Sequence, residues 1–398
     1  MTLNISNRVS KMQASPIRKL MPYAENAKKR GVHVYHLNIG QPDIETPRCI
    51  IDGIKNYKSN VLRYGPSNGL ESLREEISQY LAKNNLEFSK EEIFITTAGS
   101  EAITFTIMAI CDPGDEIIIP EPFYTNYNGF SQQANVKIVP VTSRMENGFH
   151  LPDDIEIINK INEKTKAILI CSPNNPTGTI LRKDELERIV KIAKENNLYI
   201  MSDEVYREFT FDDRKHISIF DIEGTKDIAV MMDSISKRFS ACGARIGYIA
   251  TKNRALLTGI MKLGQARLCP PTVEQIGAIE GFKNMDKFMP EMISEYERRR
   301  NVVYEAIKTI DGAFTMKPEG AFYAVVKIPV DDAEKFTIFM LDKFSIDNKT
   351  TMVAPAEGFY ATEGKGKDQV RIAFVLKEDD LKDAMNLLKE GLKRYNNG

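Results

Sequence analysis

The chain has 398 residues, with 54 lysines and arginines against 55 aspartates and glutamates, and a formal charge of −1 at pH 7. Because the two signs are interspersed along the chain, the charge pattern argues against a nucleic-acid partner or an anionic membrane surface. The five cysteines are widely spaced and never form C-x-x-C, which argues against a disulfide framework and against a zinc site, and we predict no bound metal.

The N-terminal segment is polar and then turns helical. Residues 1–11 lack the apolar stretch of a signal peptide, and no later segment has the unbroken apolar length that crosses a bilayer. We therefore expect a soluble, cytoplasmic protein without membrane contacts. Ser15 before Pro16 is typical of a helix start, which predicts a helix from there to about residue 29, ended by Gly31.

The middle of the chain alternates short β-rich runs with helical patterns, which is typical of a mostly parallel sheet with helices on both faces. Helices are predicted at 99–111 and 183–196. The predicted strands are 93–96, 116–119, 137–141, 166–170, 198–201, 228–232 and 246–250.

The last third predicts a smaller α+β unit. Past Met285 a charged helix to about 309 is followed by a strand at 321–328, a helix at 333–344, a strand at 370–375 and a helix at 381–394. The length favours two domains. We predict a large domain over 48–290 and a small domain, with an N-terminal arm, from 1–47 and 291–398.

One lysine stands in a setting that suits a phosphorylated aldehyde cofactor. Lys237 follows the strand predicted at 228–232, and open α/β sheets bind ligands beyond the carboxyl ends of their strands. Taken alone it would be a solvated surface lysine. Ser234, Ser236 and Arg245 nearby supply the hydroxyls and the planar cation that suit a phosphate. Together these residues predict a Schiff base between Lys237 and pyridoxal phosphate.

Two further motifs supply groups for the same cofactor. Asp203 follows the strand at 198–201, where a buried carboxylate would be compensated by a protonated ring nitrogen; otherwise it would be a capping or ion-paired aspartate. Tyr206, three residues on, is predicted to donate to the ring oxygen. Asn175, in Asn174-Asn175-Pro176-Thr177-Gly178, follows the strand at 166–170 and therefore lies at the same sheet edge.

Anion-binding groups complete the candidate site. Gly99-Ser100-Glu101 lies between a predicted strand and helix, and helix N-termini bind anions through free amides and the helix dipole; alone, it would be an ordinary turn and cap. Arg371 interrupts an apolar strand pattern. A solvated arginine is the default interpretation, but a bidentate cation suits a substrate carboxylate. Signatures of nucleotide-binding loops, of a serine nucleophile and of metalloproteases are missing from the sequence.

With these motifs in order, the chain resembles a class I/II aminotransferase of the aspartate aminotransferase superfamily, pyridoxal-phosphate fold type I. The resemblance extends from Leu37-Asn38-Ile39-Gly40-Gln41-Pro42-Asp43, through Tyr64-Gly65-Pro66-Ser67-Asn68-Gly69, to Arg371. It implies that an amino group moves from an L-amino acid, with aspartate as one option, to a 2-oxo acid such as 2-oxoglutarate in a ping-pong reaction. It also implies cis bonds at Glu121-Pro122 and Asn175-Pro176.

The resemblance also implies a role for each site residue. Lys237 would bind the cofactor and shuttle a proton, with Asp203 and Tyr206 as its catalytic partners at the ring nitrogen and ring oxygen. Tyr64 would come from the second subunit of a homodimer. The substrate carboxylate would be bound by Arg371, Asn175 and the Gly40 backbone. The remaining cofactor contacts would be Gly99, Ser100, Glu101, Tyr124 stacked on the ring, Asn175, Ser234, Ser236 and Arg245.

One position departs from the aspartate-specific pattern. Glu101 stands where prokaryotic aspartate-specific relatives often have a lysine that binds the distal carboxylate, so a dicarboxylic substrate is disfavoured there. Arg238 and Arg267 are alternative cations that could bind the distal carboxylate instead. A C–S β-lyase or an acyl transferase on the same cofactor is a second hypothesis, although Tyr124 replaces the histidine of acyl-transferring relatives. A ligand sensor is a third, but only about forty residues precede the large domain.

Overall fold

The computed structural model describes residues 3–397, in which strands and helices alternate through the middle of the chain. The strands are β1 (His33–His36), β2 (Ile93–Thr97), β3 (Glu116–Glu121), β4 (Lys137–Thr142), β5 (Thr165–Cys171), β6 (Tyr199–Asp203), β7 (Ala229–Ser234), β8 (Ile246–Ala250), β9 (Tyr323–Lys327), β10 (Lys349–Met352), β11 (Ala354–Pro355) and β12 (Gln369–Ala373). The helices are α1 (Asn7–Ser10), α2 (Met21–Lys29), α3 (Arg48–Lys55), α4 (Glu71–Lys83), α5 (Ala98–Ile110), α6 (Asn126–Ala134), α7 (Asp154–Ile158), α8 (Lys183–Glu195), α9 (Ile235–Arg238), α10 (Arg254–Arg267), α11 (Thr272–Asn284), α12 (Met289–Ile307), α13 (Ala333–Asp342) and α14 (Glu378–Asn396).

A seven-stranded sheet forms the centre of the molecule, in the order β2-β8-β7-β6-β5-β3-β4. All neighbouring pairs are parallel except those of β8, which runs antiparallel to both β2 and β7. The predicted mostly parallel α/β sheet is therefore confirmed. A parallel strand pair requires a crossover connection, which is why helices separate these strands in sequence.

Both faces of this sheet are covered, because successive residues of a strand point to opposite sides. On β3, Ile117 and Ile119 pack with residues of α5, α6 and α10, whereas Ile118 packs on the other face with residues of α8. Burial on both faces explains why the strand sequences are continuous apolar runs rather than alternating ones.

A smaller α+β part combines both ends of the chain. It contains the antiparallel sheet β11-β12-β9 and the parallel pair β1-β10, so an N-terminal strand pairs with a C-terminal one. Helices α12 and α14 pack together beside it, and α2 packs on α13. The predicted α+β unit is thus observed, while the domain limits at 47/48 and 290/291 stay a prediction.

The helix predicted from Pro16 to residue 29 is wrong at its start, because α2 begins only at Met21. The residues from 16 to 20 form a turn, in which Ser15 Oγ accepts from Arg18 N at 3.3 Å. Pro22 explains the difference. Inside a longer helix its ring would clash with the carbonyl four residues earlier, whereas in the first turn of α2 it is tolerated.

The chain contains three cis X-Pro peptide bonds between residues 3 and 397. The Glu121-Pro122 and Asn175-Pro176 bonds are cis, which confirms that prediction, and Ser172-Pro173 is a third cis bond that was not anticipated. All five cysteines are free. Between residues 3 and 397, no helix has the length and apolarity required to cross a bilayer, and no group of three histidine, cysteine or acidic side chains is arranged to hold a metal.

Candidate functional site

The predicted site residues meet at one edge of the large sheet. Strands β5, β6 and β7 end there at Cys171, Asp203 and Ser234, and β8 begins there because it runs antiparallel, which brings Arg245 to the same edge. A cavity of about 420 Å³ opens at this edge. It is lined by twelve of the predicted residues, namely Gly40, Gly99, Ser100, Tyr124, Asn175, Asp203, Tyr206, Ser234, Ser236, Lys237, Arg245 and Arg371.

Lys237 reaches the cavity from α9, the single helical turn that follows β7. Its Nζ donates to the Gly40 carbonyl oxygen at 2.7 Å and lies 3.8 Å from Cys242 Sγ. Within the described part of the chain, no carboxylate is within ion-pair distance of this amine. The amine is held by a neutral acceptor only, so it is available for a reactive ligand.

Asp203 is a buried carboxylate that has no cationic partner among residues 3–397. Its Oδ2 accepts from the Tyr127 hydroxyl at 2.7 Å, and its Oδ1 accepts from Val205 N at 3.3 Å. Burial raises the pKa of Asp203 to about 6, with smaller contributions from Asp233 and Glu204, although the two hydrogen bonds oppose the shift. A cationic N–H placed in the cavity would stabilise the ionised form of this carboxylate.

Tyr206 and Tyr323 form a buried pair of phenols, with their oxygens 2.8 Å apart. Burial raises the pKa of Tyr206 well above its usual value, so this hydroxyl stays protonated and can donate. Tyr323 also explains the glycine at position 40, because a Cβ there would lie 1.8 Å from the Tyr323 hydroxyl oxygen. The close approach of backbone and ring shapes this side of the cavity.

The opposite side of the cavity is built for an anion. The N-terminus of α5, a helix of 13 residues, directs its free amides there from Gly99 and Ser100. Ser234 Oγ and Ser236 Oγ lie 2.8 Å apart beside it, and the exposed Arg245 supplies a cation. Gly247 permits this packing, since a Cβ there would be 2.7 Å from Gly99 N.

Arg371 is a fully buried guanidinium that has no acidic partner in the part of the chain that the structure describes. Its Nη1 donates to Asn175 Oδ1 at 3.2 Å and its Nη2 donates to the Asn38 carbonyl at 2.5 Å, while its Nε has no hydrogen-bond partner. The rings of Tyr323 and Phe359 lie 4.5 Å and 4.9 Å from its central carbon. Burial lowers the pKa of Arg371, which reflects the cost of keeping this charge out of water. A carboxylate in the cavity would relieve that cost.

These groups fit pyridoxal phosphate. The cavity offers a lysine amine bound to a neutral acceptor, a buried carboxylate, a pair of hydrogen-bonded phenols, and an anion-binding helix end with hydroxyls and an arginine. They correspond to the aldehyde, the ring nitrogen, the ring oxygen and the phosphate of the cofactor. Arg371 is not needed for any of these four cofactor groups, so it is available to bind a second ligand.

Glu101 and the two arginines offered as alternative cations lie outside the cavity. Glu101 accepts from Thr97 N at 2.7 Å, and its other oxygen is 3.2 Å from Arg267 Nε. Arg238 is fully buried and donates to Asp233 Oδ2 at 2.6 Å. The Glu101 carboxylate is therefore directed into an ion pair behind α5 rather than towards a cofactor or substrate.

Tyr64 also lies outside the cavity of its own chain. Its side chain is 80% exposed, and the neighbouring Val61 and Leu62 are 55% and 73% exposed. Three exposed large apolar side chains within four residues are unusual on the surface of an isolated subunit. The expectation that Tyr64 serves another subunit stays a prediction.

Sequence reasoning missed two tyrosines of this site, Tyr127 and Tyr323. Tyr127, in the first turn of α6, follows Tyr124 by three residues, and their rings are 5.5 Å apart, so this three-residue spacing was a usable signal. Tyr124 itself lines the cavity, and its hydroxyl accepts from Asn126 Nδ2 at 2.7 Å. Tyr323 lies far along the chain in β9, and no local motif marked it.

Comparisons with known proteins agree with this geometry. The sequence profile of the family "Aminotransferase class I and II" matches residues 32–388. The "Probable aspartate/prephenate aminotransferase" of Aquifex aeolicus is 32% identical over 398 residues, which cover 99% of this chain and 100% of that protein. The "Aspartate aminotransferase" of Pyrococcus abyssi is 33% identical over 397 residues, 98% of each chain.

Solved structures show the same fold. The "Alanine aminotransferase from Pyrococcus furiosus" superposes with a TM-score of 0.90 at 31% identity, covering 98% of this chain and 100% of that one. The names of these similar proteins share amino-group transfer but differ in the amino acid named. The reaction class is therefore common to them, and the amino donor has to be argued from the cavity of this chain.

Proposed function

Since this chain belongs to the class I and II aminotransferases and is a pyridoxal-phosphate-dependent enzyme, we propose that it moves an amino group from an L-amino acid to a 2-oxo acid such as 2-oxoglutarate. Both substrates would use the cavity at the carboxyl edge of the sheet in turn, as a ping-pong reaction requires. The amino donor leaves as a 2-oxo acid before the acceptor enters.

The observation that carries this proposal is the isolated charge of Arg371. A buried guanidinium with one nitrogen unbonded is costly unless an anion completes its environment. A planar carboxylate is the anion that an arginine binds in a bidentate manner. Amino acids and 2-oxo acids share an α-carboxylate, so one arginine serves both substrates, with Asn175 bound to the same guanidinium.

The proposed proton carrier is Lys237. The chemistry that pyridoxal phosphate supplies when bound is electron withdrawal from the substrate α-carbon. Lys237 Nζ would accept the α-proton and return it during the transfer, and its hydrogen bond to the Gly40 carbonyl holds it on the substrate side of the cavity. A general base must lie within hydrogen-bond reach of the proton it removes.

The other residues would fix the position and orientation of the cofactor. Asp203 would keep the ring nitrogen protonated, and Tyr127 would orient Asp203 by its hydrogen bond to the carboxylate. Tyr206 and Asn175 would bind the ring oxygen, and Tyr124 would cover the ring. The phosphate would be bound by Gly99, Ser100, Ser234, Ser236 and Arg245.

A half-reaction screen tests the function. The purified holoenzyme is mixed with each proteinogenic amino acid without acceptor, and the 2-oxo acid and the change in cofactor absorption are measured. We expect one equivalent of 2-oxo acid per site and no free ammonia, because the amino group stays on the enzyme until 2-oxoglutarate removes it. Continuous release of a 2-oxo acid together with ammonia would contradict the proposal and indicate β-elimination.

The second part of the proposal is a homodimer in which Tyr64 completes the site of the partner subunit. The exposed residues Val61, Leu62 and Tyr64 would be covered by the second copy. The phenol of Tyr64 would then reach the phosphate end of the partner's cavity, where Arg245 is exposed. An isolated subunit would bind the cofactor with fewer contacts.

Mixed dimers of two inactive variants test this arrangement. If Tyr64 acts across the interface, a dimer of Lys237→Ala with Tyr64→Ala has one site with both lesions and one intact site. When equal amounts of the two variants pair at random, about half of the dimers are hybrids, and each hybrid has one intact site. At limiting cofactor, about a quarter of the wild-type activity should therefore be recovered. The two variants assayed separately are the control. No recovery in hybrids isolated by two affinity tags would show that Tyr64 serves its own chain.

A further inference from the structure

The turn that carries Lys237 is enclosed by a buried ion pair. Ser234, Ser236 and Lys237 line the cavity, whereas Asp233 and Arg238, one at each end of the turn, do not line it and are fully buried. The two are joined directly, since Arg238 Nη2 donates to Asp233 Oδ2 at 2.6 Å. The proposed function gives neither of them a role. Their bond nevertheless connects the first and last residues of the turn that contacts the cofactor.

Asp233 fixes the start of this turn through its other oxygen. Its Oδ1 accepts from Ser234 N at 2.6 Å, and its Oδ2 accepts from the Tyr248 hydroxyl at 2.7 Å as well as from Arg238. Tyr248 can reach it because the two residues are directly paired across the antiparallel strands β7 and β8. An ionised carboxylate is a strong hydrogen-bond acceptor. Asp233 therefore orders the backbone at Ser234.

The negative charge of Asp233 would oppose the ligand that the turn binds. Ser234 is assigned to the cofactor phosphate, and its backbone is bonded to this carboxylate. The charge of Asp233 is felt in the cavity, because it adds to the effect of burial in raising the pKa of Asp203. Two anions repel each other strongly where water is excluded. A phosphate at Ser234 therefore requires a cation that compensates Asp233.

Arg238 is that cation. No other basic side chain between residues 3 and 397 lies within ion-pair distance of Asp233. The rings of Tyr80 and Phe282 lie 4.7 Å and 5.7 Å from its central carbon, and the Tyr80 hydroxyl accepts from Nη2 at 3.1 Å. Nε and Nη1 have no hydrogen-bond partner among these residues, although Nε is 3.5 Å from Glu208. Because its hydrogen-bonding capacity is only partly used, the guanidinium contributes mainly its charge.

We propose that Arg238 is a positioning residue that acts through Asp233: it compensates the carboxylate that orders Ser234, so that the turn can bind the cofactor phosphate. The ion pair lets a strong acceptor fix the backbone of the turn without repelling the ligand. Arg238 itself would touch neither cofactor nor substrate. This inference rests on the proposed function, because it takes the phosphate at Ser234 as given.

The test compares binding of pyridoxal phosphate with binding of pyridoxal, which lacks the phosphate. Dissociation constants are measured by absorption titration of the full-length protein after its cofactor has been removed. In Arg238→Gln, pyridoxal phosphate should bind about tenfold or more weakly, since one buried charge nearby is left uncompensated, while pyridoxal should stay within about threefold. Arg300→Gln is the matched control, because Arg300 is also fully buried and ion-paired, with Asp212, but does not line the cavity. It should keep the wild-type ratio of the two constants.

Further variants separate charge from folding. Arg238→Lys keeps the cation and should retain most of the preference for pyridoxal phosphate. Asp233→Asn combined with Arg238→Gln removes both charges and should return the preference to within about threefold of wild type. If Arg238→Gln does not fold, Asp233→Asn alone decides, because it leaves the cation uncompensated and should raise the preference.

Several outcomes would overturn the inference: an unchanged ratio in Arg238→Gln, an equal fall in Arg300→Gln, a double variant as weak as Arg238→Gln, or a lowered preference in Asp233→Asn. Failure of the proposed function is a different result. A wild-type enzyme without amino transfer would refute that function, while the ratio of the two dissociation constants would still decide the role of Arg238.

Discussion

Replacing Lys237 with alanine is expected to abolish amino transfer and the covalent attachment of the cofactor. The Lys237 amine is the one lysine nitrogen that lines the cavity in the part of the chain described by the structure, and a neutral carbonyl holds it there. Without it, the α-proton has no acceptor and the cofactor no covalent anchor. We expect kcat to fall by about 10⁴-fold, the upper range for loss of a general base.

The measurement combines turnover with absorption spectroscopy. Wild type should keep its visible cofactor band through dialysis and should become labelled at residue 237 on borohydride reduction, as mass spectrometry would show. Lys191→Ala, an exposed lysine on α8 away from the cavity, is the matched control and should behave as wild type. A Lys237→Ala protein that retains borohydride-fixed cofactor would remove this residue from its assigned role.

Asp203→Asn is expected to have the second largest effect, with kcat reduced by about 10²- to 10³-fold, as for loss of one preorganised electrostatic group. The carboxylate is buried and no described residue gives it a cationic partner, so a protonated ring nitrogen would stabilise its ionised form. Asparagine keeps the shape and can still contact Tyr127, but it carries no charge. Cofactor affinity by equilibrium dialysis and kcat by steady-state assay should both fall.

The cofactor-free protein offers an independent check through pH. Burial raises the pKa of Asp203 to about 6, whereas an unfolded aspartate titrates near 3.9. Between these values the folded state retains a proton that the unfolded state has released, so the stability contribution of Asp203 falls as pH rises from about 4 to 6 and is constant above. The stability difference between wild type and Asp203→Asn apoproteins should follow this course in denaturant titrations. A flat difference would show that the pKa of Asp203 is the same in the folded and unfolded states, so that burial does not raise it.

The strands of the large sheet could be predicted because each one is marked by a pattern in its own short stretch of sequence. Runs such as 116–119 and 166–170 are apolar on both faces and flanked by helical periodicity, which leaves few arrangements besides a covered parallel sheet. The residue at which such a strand ends can also be read from the local sequence. Placing Asp203 and Lys237 beyond the ends of neighbouring strands was therefore sufficient to bring them to one edge.

The start of α2 and the tyrosines of the site show where local signals were insufficient. Ser15-Pro16 has the composition of a helix start, yet Pro22 forces the helix to begin later. Tyr323 reaches the cavity only because β9 belongs to a sheet built from the far end of the chain. Its contact with Tyr206 joins residues that lie 117 positions apart, and no periodicity encodes that distance.

The sequence by itself determined the reaction class, since a lysine, an aspartate, an arginine and a glycine-serine turn at strand ends define which cofactor can be bound and what chemistry follows. The tertiary structure alone decided which charged side chains line the cavity. Glu101 and Arg267 form an ion pair outside the cavity, whereas the buried Arg371 at the cavity has no acidic partner among residues 3–397. The reason is physical: a residue's type sets what charge it carries, but only packing sets whether that charge is already compensated.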